Sequence, residues 1–370
     1  MTAVVAAAPL ASPRGLDPRV IASIEAVLVP VGALVASAVL FSLFLLALGK
    51  SPATFFNLVW VGGFGSAFSI QNTLQRAAPL ILTGLAFAIP ARIGLTLLGA
   101  EGALVLGGFA AAAIAIPMVG GGWPPAVGLP IMAVTAMAAG AVWVGIAGWL
   151  RHYRGVNETI SSLLLGYIAI ATMNFFVEGA LRDPASANKP STMPIGDAWR
   201  IGPIPGTSVH WGLAAGIVLA IALYVLMSRT TFGFAARMTG GNVRAAQAQG
   251  LPVGFLVVTC CAIAGACAGL AGFYEIAAIH GQANASLIAG YGFTGILVAF
   301  LARQNPLAVV PVAVLFGALD AAGGLVQRRM AMPDATVLVL QGIIFVVLLV
   351  SETFYGRIPF LRPRVTGERT

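Results

Sequence analysis

Apolar residues occur in long runs along the chain, separated by short segments rich in polar residues, glycine or proline. Ten of these runs approach the length of about 20 residues that a helix needs to cross the hydrocarbon core of a bilayer. They cover residues 26–48, 77–91, 95–118, 127–150, 158–177, 209–228, 253–279, 287–302, 306–322 and 335–355. The pattern therefore predicts an all-α polytopic membrane protein with about ten transmembrane helices. The predicted organisation is an N-terminal segment at 1–25, a transmembrane domain at 26–355 and a C-terminal tail at 356–370.

Charged residues are few and unevenly distributed. Of the 370 residues, 59% are hydrophobic and 9% are charged, whereas a soluble domain carries about 25% charged residues. Lysine and arginine are retained on the cytoplasmic side of a membrane. Thirteen of them fall in segments predicted to be cytoplasmic: Arg14, Arg19, Arg92, Arg151, Arg154, Arg229, Arg237, Arg244, Arg303, Arg357, Arg362, Arg364 and Arg369. Seven fall in predicted external segments: Lys50, Arg76, Arg182, Lys189, Arg200, Arg328 and Arg329. With an even number of spans, both termini are predicted to be cytoplasmic.

Residues 77–118 are predicted to form broken or tilted helices, because they combine embedded charges with residues that interrupt helices: Pro79, Pro90, Gly94, Gly99, Gly102 and Pro117. Proline and glycine are tolerated at membrane depth where protein or a wet cavity satisfies the freed backbone groups. Residues 53–75 are too glycine-rich and polar to be predicted as a membrane span. An external amphipathic or re-entrant element is expected there.

The longest predicted loop is external and covers Glu178–Ser208. It contains five prolines and three charges of each sign. Two interpretations remain open, a solvated connector and a docking surface for an external partner, because loops longer than 12–15 residues are often functional.

Motifs for catalysis or nucleotide binding are not found in the sequence. Residues 49–51 (GKS) resemble the end of a P-loop, but Phe44 stands where that pattern needs a glycine. The three cysteines all lie in the predicted span 253–279 and are expected to pack as small hydrophobic residues. No metal or cofactor is expected on this chain, and no ATP hydrolysis. The net charge of +8 indicates membrane topology and contact with anionic lipids rather than nucleic acid.

Three acids lie in or at the ends of the apolar runs, where an isolated charge costs several kcal/mol and often marks a functional site. Glu101 lies between glycines in LLGAEGAL, and Arg92 precedes it in the same region. Both are placed on a substrate path, the alternative being a buried Glu101–Arg92 ion pair. Glu275 is interpreted as a mouth or packing residue, and Asp320 as a charge at a helix end.

Two aromatic residues, Tyr291 and Phe293, alternate with glycines in the stretch AGYGFTGI. Rings beside glycines that permit close approach suit stacking on a flat ligand such as a nucleobase or the face of a sugar. The alternative is ordinary packing between helices. Both residues are included among the substrate-path candidates.

The segment Arg229–Leu251 carries three arginines and no acid, which predicts a cytoplasmic location. Residues 240–242 (GGN) interrupt it, and an alanine-rich run follows at 244–249. This order predicts a short helix that faces the cytosol between two membrane spans.

Taken together, four stretches resemble the membrane permease subunits of ATP-binding-cassette importers for branched-chain amino acids, ribose and simple sugars, especially their nucleoside-type branch. The stretches are PLILTGLAFAIPARIGLTLLGAEGALVLGGFAA (79–111), GVNETISSLLLGYIAI (155–170), RMTGGNVRAAQAQGL (237–251) and GYGFTGILVAFLARQNPLAVVPVAVLFGAL (290–319). The first is similar to the family's glutamate-containing third helix, and the third resembles its cytoplasmic coupling segment.

The chain departs from the family pattern at two places. Leu97–Leu98–Gly99 and Ala103 stand where many members carry Asn-Ile-Gly and Gln around the glutamate, so two amide side chains beside Glu101 are lost. Arg244 stands where the coupling segment usually has a glutamate. This reverses a charge at the expected contact with the ATPase.

The resemblance implies a permease subunit in the bacterial cytoplasmic (inner) membrane that works by alternating access. Its expected partners are a cytosolic ATPase subunit that binds ATP and Mg, a second permease subunit (identical or paralogous), an external substrate-binding protein and membrane lipids. The residues implied to contact the ATPase are Arg237, Asn242, Arg244, Ala245, Ala246, Gln247 and Gly250. The expected solute is a nucleoside or related small polar molecule, with a sugar next.

Two other classes of function remain as alternatives. An ion-coupled secondary transporter also has broken helices and acids at the membrane midplane, and Glu101 would then carry a proton. An integral membrane enzyme is less favoured, because the sequence has no clustered acids or histidines at a candidate active site.

Overall fold

A computed structural model describes residues 18–186, 188–333 and 335–353, with side chains described from residue 28 onward except at 352. Within these ranges the chain forms thirteen α-helices and no strand. The helices are α1 (Pro18–Ala47), α2 (Pro52–Phe64), α3 (Ala67–Ala91), α4 (Ala100–Gly120), α5 (Pro125–Arg154), α6 (Glu158–Glu178), α7 (Gly212–Arg229), α8 (Thr231–Gly241), α9 (Val243–Ala248), α10 (Val253–Tyr274), α11 (Tyr291–Leu301), α12 (Pro306–Met330) and α13 (Ala335–Glu352). The predicted C-terminal tail and most of the N-terminal segment lie outside the described residues.

Eight helices in the described part of the chain are long and apolar enough to cross a membrane. They are α1, α3, α4, α5, α6, α7, α12, and α10 extended to His280 by a π-helical turn. The shorter apolar helices α11 and α13 occupy the remaining two predicted spans. The structure therefore confirms the prediction of an all-α polytopic membrane protein, with the difference that one predicted span, 287–302, contains an α-helix of only 11 residues.

The predicted break in 77–118 is present, but at a different place from the prolines. Helix α3 continues through Pro79 and Pro90, and it ends where Gly94 adopts φ +80°. The N–H of Leu95 then bonds to the carbonyl of Pro90 at 3.1 Å, which closes the helix end in the manner of a left-handed cap. Residues 95–99 are non-helical, and α4 begins only at Ala100.

Residues 53–75 are more regular than expected. They form α2 and the first part of α3, so α3 starts about ten residues before the predicted span. Serines cap both helices: Ser51 Oγ accepts from Thr54 N–H, and Ser66 Oγ accepts from Ser69 N–H. Capping and the helical period outweighed the polar composition here. Arg76, expected in an external segment, consequently lies within α3.

Two compact units divide the described chain. Helix α1 belongs to one unit together with α13 from Leu338 onward, and residues 51–337 form the other. Within the larger unit, α3 is buried on all sides from Ala77 to Pro90 and contacts α7, α10, α11 and α12. This is expected of a helix that is apolar around its whole circumference.

Helix α10 crosses the larger unit and packs most extensively on α5. A Cβ added to Gly265 would overlap the backbone of Gly140, so the two helices approach at backbone distance. This use of glycine is typical of helix contacts in membranes. Helix α10 begins next to α9 and ends at the Glu178–Ser208 loop. We call these two ends of the unit the coupling side (residues 230–251) and the loop side (residues 178–208).

Candidate functional site

Glu101 lies where two helices begin. It occupies the first turn of α4, and 2% of its surface is exposed. Its carboxylate accepts two hydrogen bonds from the backbone at the start of α11: Gly290 N–H donates to Oε1 at 2.8 Å, and Gly292 N–H donates to Oε2 at 2.6 Å. A carboxylate is stabilised at such a position because the first N–H groups of a helix have no partner within the helix and its dipole is positive there. We call these three residues the Glu101 junction.

Glycine permits the close approach of α11 to α4 at this junction. Gly290 adopts φ +80° immediately before α11, and a Cβ on Gly292 would overlap the backbone of Glu101. Helix α11 is also tied to α3, because the hydroxyl of Thr83 donates to the carbonyl of Tyr291 at 2.9 Å. The glycines of AGYGFTGI therefore place the start of α11 against the acid.

A small pocket opens beside the Glu101 junction. It is lined by residues of α4, α6 and α11 and of the segment before α4: Leu98, Glu101, Gly102, Leu163, Gly166, Tyr167, Ile170 and Phe293. Two aromatic side chains in this pocket are accessible, Tyr167 at 59% and Phe293 at 46% exposure. Phe293 is one of the residues predicted from the sequence, whereas Tyr167 was not predicted. The signal was present, since Tyr167 follows Gly166 just as Phe293 follows Gly292.

The other substrate-path candidates lie elsewhere. Tyr291 packs against the hydrophobic core rather than into the pocket. Arg92 lies at the end of α3 on the coupling side, where its Nε donates to the carbonyl of Gln304 at 3.0 Å. The pKa of Arg92 is lowered by burial and, second, by the positive charge of Arg237. The alternative Glu101–Arg92 pair is not formed, because each side chain is bonded to a different part of the backbone.

The two remaining acids differ from each other. Glu275 is 3% exposed, and its Oε2 lies 3.4 Å from Nε2 of His280 within the π-helical turn that follows α10. This agrees with its interpretation as a packing or mouth residue. Asp320 was expected at a helix end, and this was wrong, because α12 continues for ten residues beyond it to Met330.

On the loop side, His210 is buried immediately before α7. Its Nδ1 accepts a hydrogen bond from Gly212 N–H at 3.1 Å, and its ring stacks on Tyr274 with centroids 6.1 Å apart. Burial lowers the pKa of His210, although the nearby negative charge of Glu275 acts in the opposite direction. The imidazole is therefore neutral near pH 7.

The coupling side carries the predicted short helix. Helix α8 ends at Gly241, the side chain of Asn242 caps α9 by accepting from Ala245 N–H at 3.1 Å, and Gly250 ends the segment with φ +77°. Ala246 is fully buried and holds α9 against the rest of the unit. The residues around it, Arg244, Ala245 and Gln247 among them, are exposed.

Arg237 bonds to a neighbouring helix. Its guanidinium donates to the carbonyl of Met227 near the end of α7. A bond of this kind joins α8 to a membrane-crossing helix. Arg244, the second residue of α9, is exposed.

Among the described residues, no group of three or more His, Cys, Asp or Glu side chains could hold a metal ion.

Similarity to known proteins extends across most of the chain. Residues 69–349 match the family model described as branched-chain amino acid transport system, permease component. The chain is 33% identical to the glucose ABC transporter permease protein of Haloferax volcanii over 84% of this chain and 83% of that protein. It is 32% identical to a guanosine ABC transporter permease protein of Bacillus subtilis, over 79% and 84%. A nucleoside ABC transporter permease protein of Lactococcus lactis subsp. cremoris is 27% identical, over 86% and 90%.

Proposed function

The chain belongs to the family of permease components of branched-chain amino acid transport systems, and on this premise we propose that it forms the translocation path of an ATP-driven importer for a nucleoside. A sugar is the next candidate. Permease subunits are multi-pass membrane proteins that act as transport components. The ATPase activity of such a transporter lies in a separate subunit. The cytoplasmic membrane is the proposed location.

One observation carries the proposal: a short helix starts inside the larger unit at the Glu101 junction, beside a small pocket lined by accessible aromatic rings. Discontinuous helices of this kind supply polar backbone groups at mid-membrane, and solutes bind near them in many transporters. The second permease subunit would face this pocket and complete the path.

The chemistry of the pocket favours a solute with a flat face. Phe293 and Tyr167 present apolar rings to the opening, while the Tyr167 hydroxyl adds a polar group. Aromatic side chains stack on a nucleobase and on the apolar face of a sugar. Two relatives named for guanosine or nucleoside transport and one named for glucose transport support these two solute classes.

Energy would enter through the coupling side. We propose that a cytosolic ATPase, which binds ATP and Mg, contacts α9 and the residues around it. These are Arg237, Asn242, Arg244, Ala245, Gln247 and Gly250, with Ala246 holding the helix in place. Since Arg244 is exposed and positive, the matching ATPase surface is expected to carry an acid. An external binding protein would deliver the solute from the loop side.

Transport by the complete system tests this function. Proteoliposomes that contain the permease, its partner permease and the ATPase, supplied with the binding protein, should accumulate guanosine only when ATP is hydrolysed. An ionophore that collapses proton and sodium gradients should leave that uptake unchanged. Uptake that stops with the gradient while ATP remains would support the ion-coupled alternative, which neither the relatives nor the fold favours.

The Tyr167→Ala variant tests the solute pocket. We expect it to weaken uptake of guanosine by about three- to ten-fold, the range that loss of one aromatic contact predicts. Phe175→Ala is the matched control, because Phe175 is an exposed aromatic residue on the same helix and does not line the pocket. Equal losses in the two variants would show that the pocket does not bind the solute.

A further inference from the structure

The two connecting segments that lead into the Glu101 junction come from opposite sides of the larger unit. We call residues 92–99, between α3 and α4, the coupling-side segment, and residues 281–290, before α11, the loop-side segment. The first ends next to Glu101 and the second ends at Gly290. The two segments therefore meet at Glu101, which accepts hydrogen bonds from Gly290 N–H and Gly292 N–H.

The coupling-side segment is in contact with the region that faces the ATPase. Gly240, in the last turn of α8, packs so closely that an added Cβ would lie 2.5 Å from the carbonyl oxygen of Arg92 and 3.0 Å from Ile93. Gly94 in turn faces the carbonyl of Gly240. Movement of α8 must therefore push directly on the backbone of residues 92–94. From there, only five residues separate the end of this turn from α4.

The loop-side segment is in contact with the external loop through the backbone. Thr192 N–H donates to the carbonyl of Ala283 at 2.9 Å, and Ile195 N–H donates to that of Gly281 at 2.9 Å. Ala283 N–H donates back to the hydroxyl of Thr192 at 3.0 Å. The long loop, expected to be either a connector or a docking surface, is thus paired with the segment that starts α11.

The Glu101 side chain is suited to hold this meeting point because it uses both oxygens. Each accepts one backbone N–H in a buried setting, where a donor left without an acceptor is costly. A glutamine has the same shape but only one acceptor oxygen, so its amide N–H would face one of the two glycine N–H groups. Shape alone would therefore be retained while the paired bonds would be lost.

From these contacts we propose that Glu101 is a positioning residue of the transport cycle, which joins the movement of α8 on the coupling side to the Glu178–Ser208 loop through its bonds to α11. The inference rests on the proposed function, since it needs an ATPase on one side and a binding protein on the other. Glu101 then sets whether ATP hydrolysis is coupled to uptake, and it acts through α11 rather than by binding the solute. Alternating access requires such a connection, because each partner must favour one state of the same element.

Glu101→Gln in the complete reconstituted transporter is the first test. Uptake of guanosine should fall by at least ten-fold, while ATP hydrolysis continues and is no longer stimulated by the binding protein. A residue that bound the solute would instead raise the KM for uptake and keep stimulated hydrolysis. That result, or a wild-type ratio of ATP hydrolysed to guanosine transported, would overturn the proposal.

A pair of neighbouring glycines provides the second test, which leaves Glu101 intact. Gly240→Ala places a methyl group against the backbone of Arg92, whereas Gly241→Ala meets nothing within 4 Å. We expect Gly240→Ala to hydrolyse ATP with reduced uptake and Gly241→Ala to behave as the wild type. If Glu101→Gln fails to assemble, this pair decides the matter, and coupled uptake in Gly240→Ala would contradict the proposal.

The wild-type protein separates this inference from the proposed function. Absence of ATP-dependent uptake in the wild-type transporter, with any nucleoside or sugar, would remove the proposed function itself. ATP-dependent uptake in the wild type together with unchanged coupling in both variants would remove only the role of Glu101.

Discussion

The two segments that enter the Glu101 junction are held in different ways. Side chains of α6 hold the coupling-side segment: Ser162 Oγ accepts from Leu98 N–H at 2.9 Å, and Thr159 Oγ1 donates to the carbonyl of Thr96 at 2.8 Å. Backbone groups of the Glu178–Ser208 loop hold the start of the loop-side segment, at Gly281 and Ala283. A segment held by side chains can be released by one substitution, whereas a segment held by the backbone resists changes of side chain. This contrast predicts that a single side-chain substitution displaces the coupling-side segment more easily than the loop-side segment.

The largest effect is expected at the close contact between Gly292 and Glu101, which brings the two segments together. Gly292→Ala would drive a methyl group into the backbone of Glu101, so neither segment could reach the junction. Overlap with backbone cannot be relieved by a change of rotamer, and we expect little folded protein. Size-exclusion chromatography of detergent-solubilised protein measures this. Gly342→Ala, which meets nothing within 4 Å, should elute as the wild type does.

A smaller effect is expected from the side-chain contacts of the coupling-side segment. Ser162→Ala leaves Leu98 N–H without its acceptor in a part-buried setting, which costs about 1 kcal/mol or more. The temperature of thermal unfolding should fall accordingly. Ser161→Ala is a matched control, because the Ser161 hydroxyl donates only to Glu158 in its own helix. Equal shifts in the two variants would mean that this bond does not hold the segment.

The corresponding change on the loop side should destabilise the protein by a similar amount. Thr192→Val removes the hydroxyl that accepts from Ala283 N–H, but the bonds from Thr192 N–H and Ile195 N–H remain. Ala283 N–H is then left without an acceptor in a buried position, so we expect a fall in unfolding temperature comparable to that of Ser162→Ala. Thr207→Val, in the same loop, serves as the control because the Thr207 hydroxyl bonds only within its own turn. A fall no larger than that of Thr207→Val would show that the Thr192 hydroxyl does not hold the loop-side segment.

The smallest effect concerns pH on the loop side. Burial lowers the pKa of His210, so the unfolded chain binds a proton below its ordinary pKa of about 6.5 while the folded protein does not. Stability should therefore fall as the pH drops below that value. The His210→Asn variant should show a weaker dependence of unfolding temperature on pH between about 7.5 and 5.5. Equal dependence in the two proteins would assign the effect to other groups.

Local patterns were sufficient for the helices. Apolar runs located the membrane spans to within a few residues in most cases, because hydrophobicity and helix length are properties of neighbouring residues. The same held for α9, where Asn242 caps an alanine-rich run as expected. Residues 53–75 were the exception, since local polarity concealed two capped helices. Sequence also sufficed to identify Glu101 as an unusual buried acid.

The partners of that acid could not be predicted in the same way. Gly290 and Gly292 lie 189 and 191 residues from Glu101 along the chain, and nothing in either stretch specifies the other. Tyr167 was missed for a similar reason, because its access to the pocket depends on how α6 lies against α4 and α11. Sequence by itself thus determined the helices, the class of protein and the candidate acid. Only the tertiary structure decided what that acid holds, because long-range hydrogen bonds depend on backbone approach, which close packing of glycines creates and local pattern does not encode.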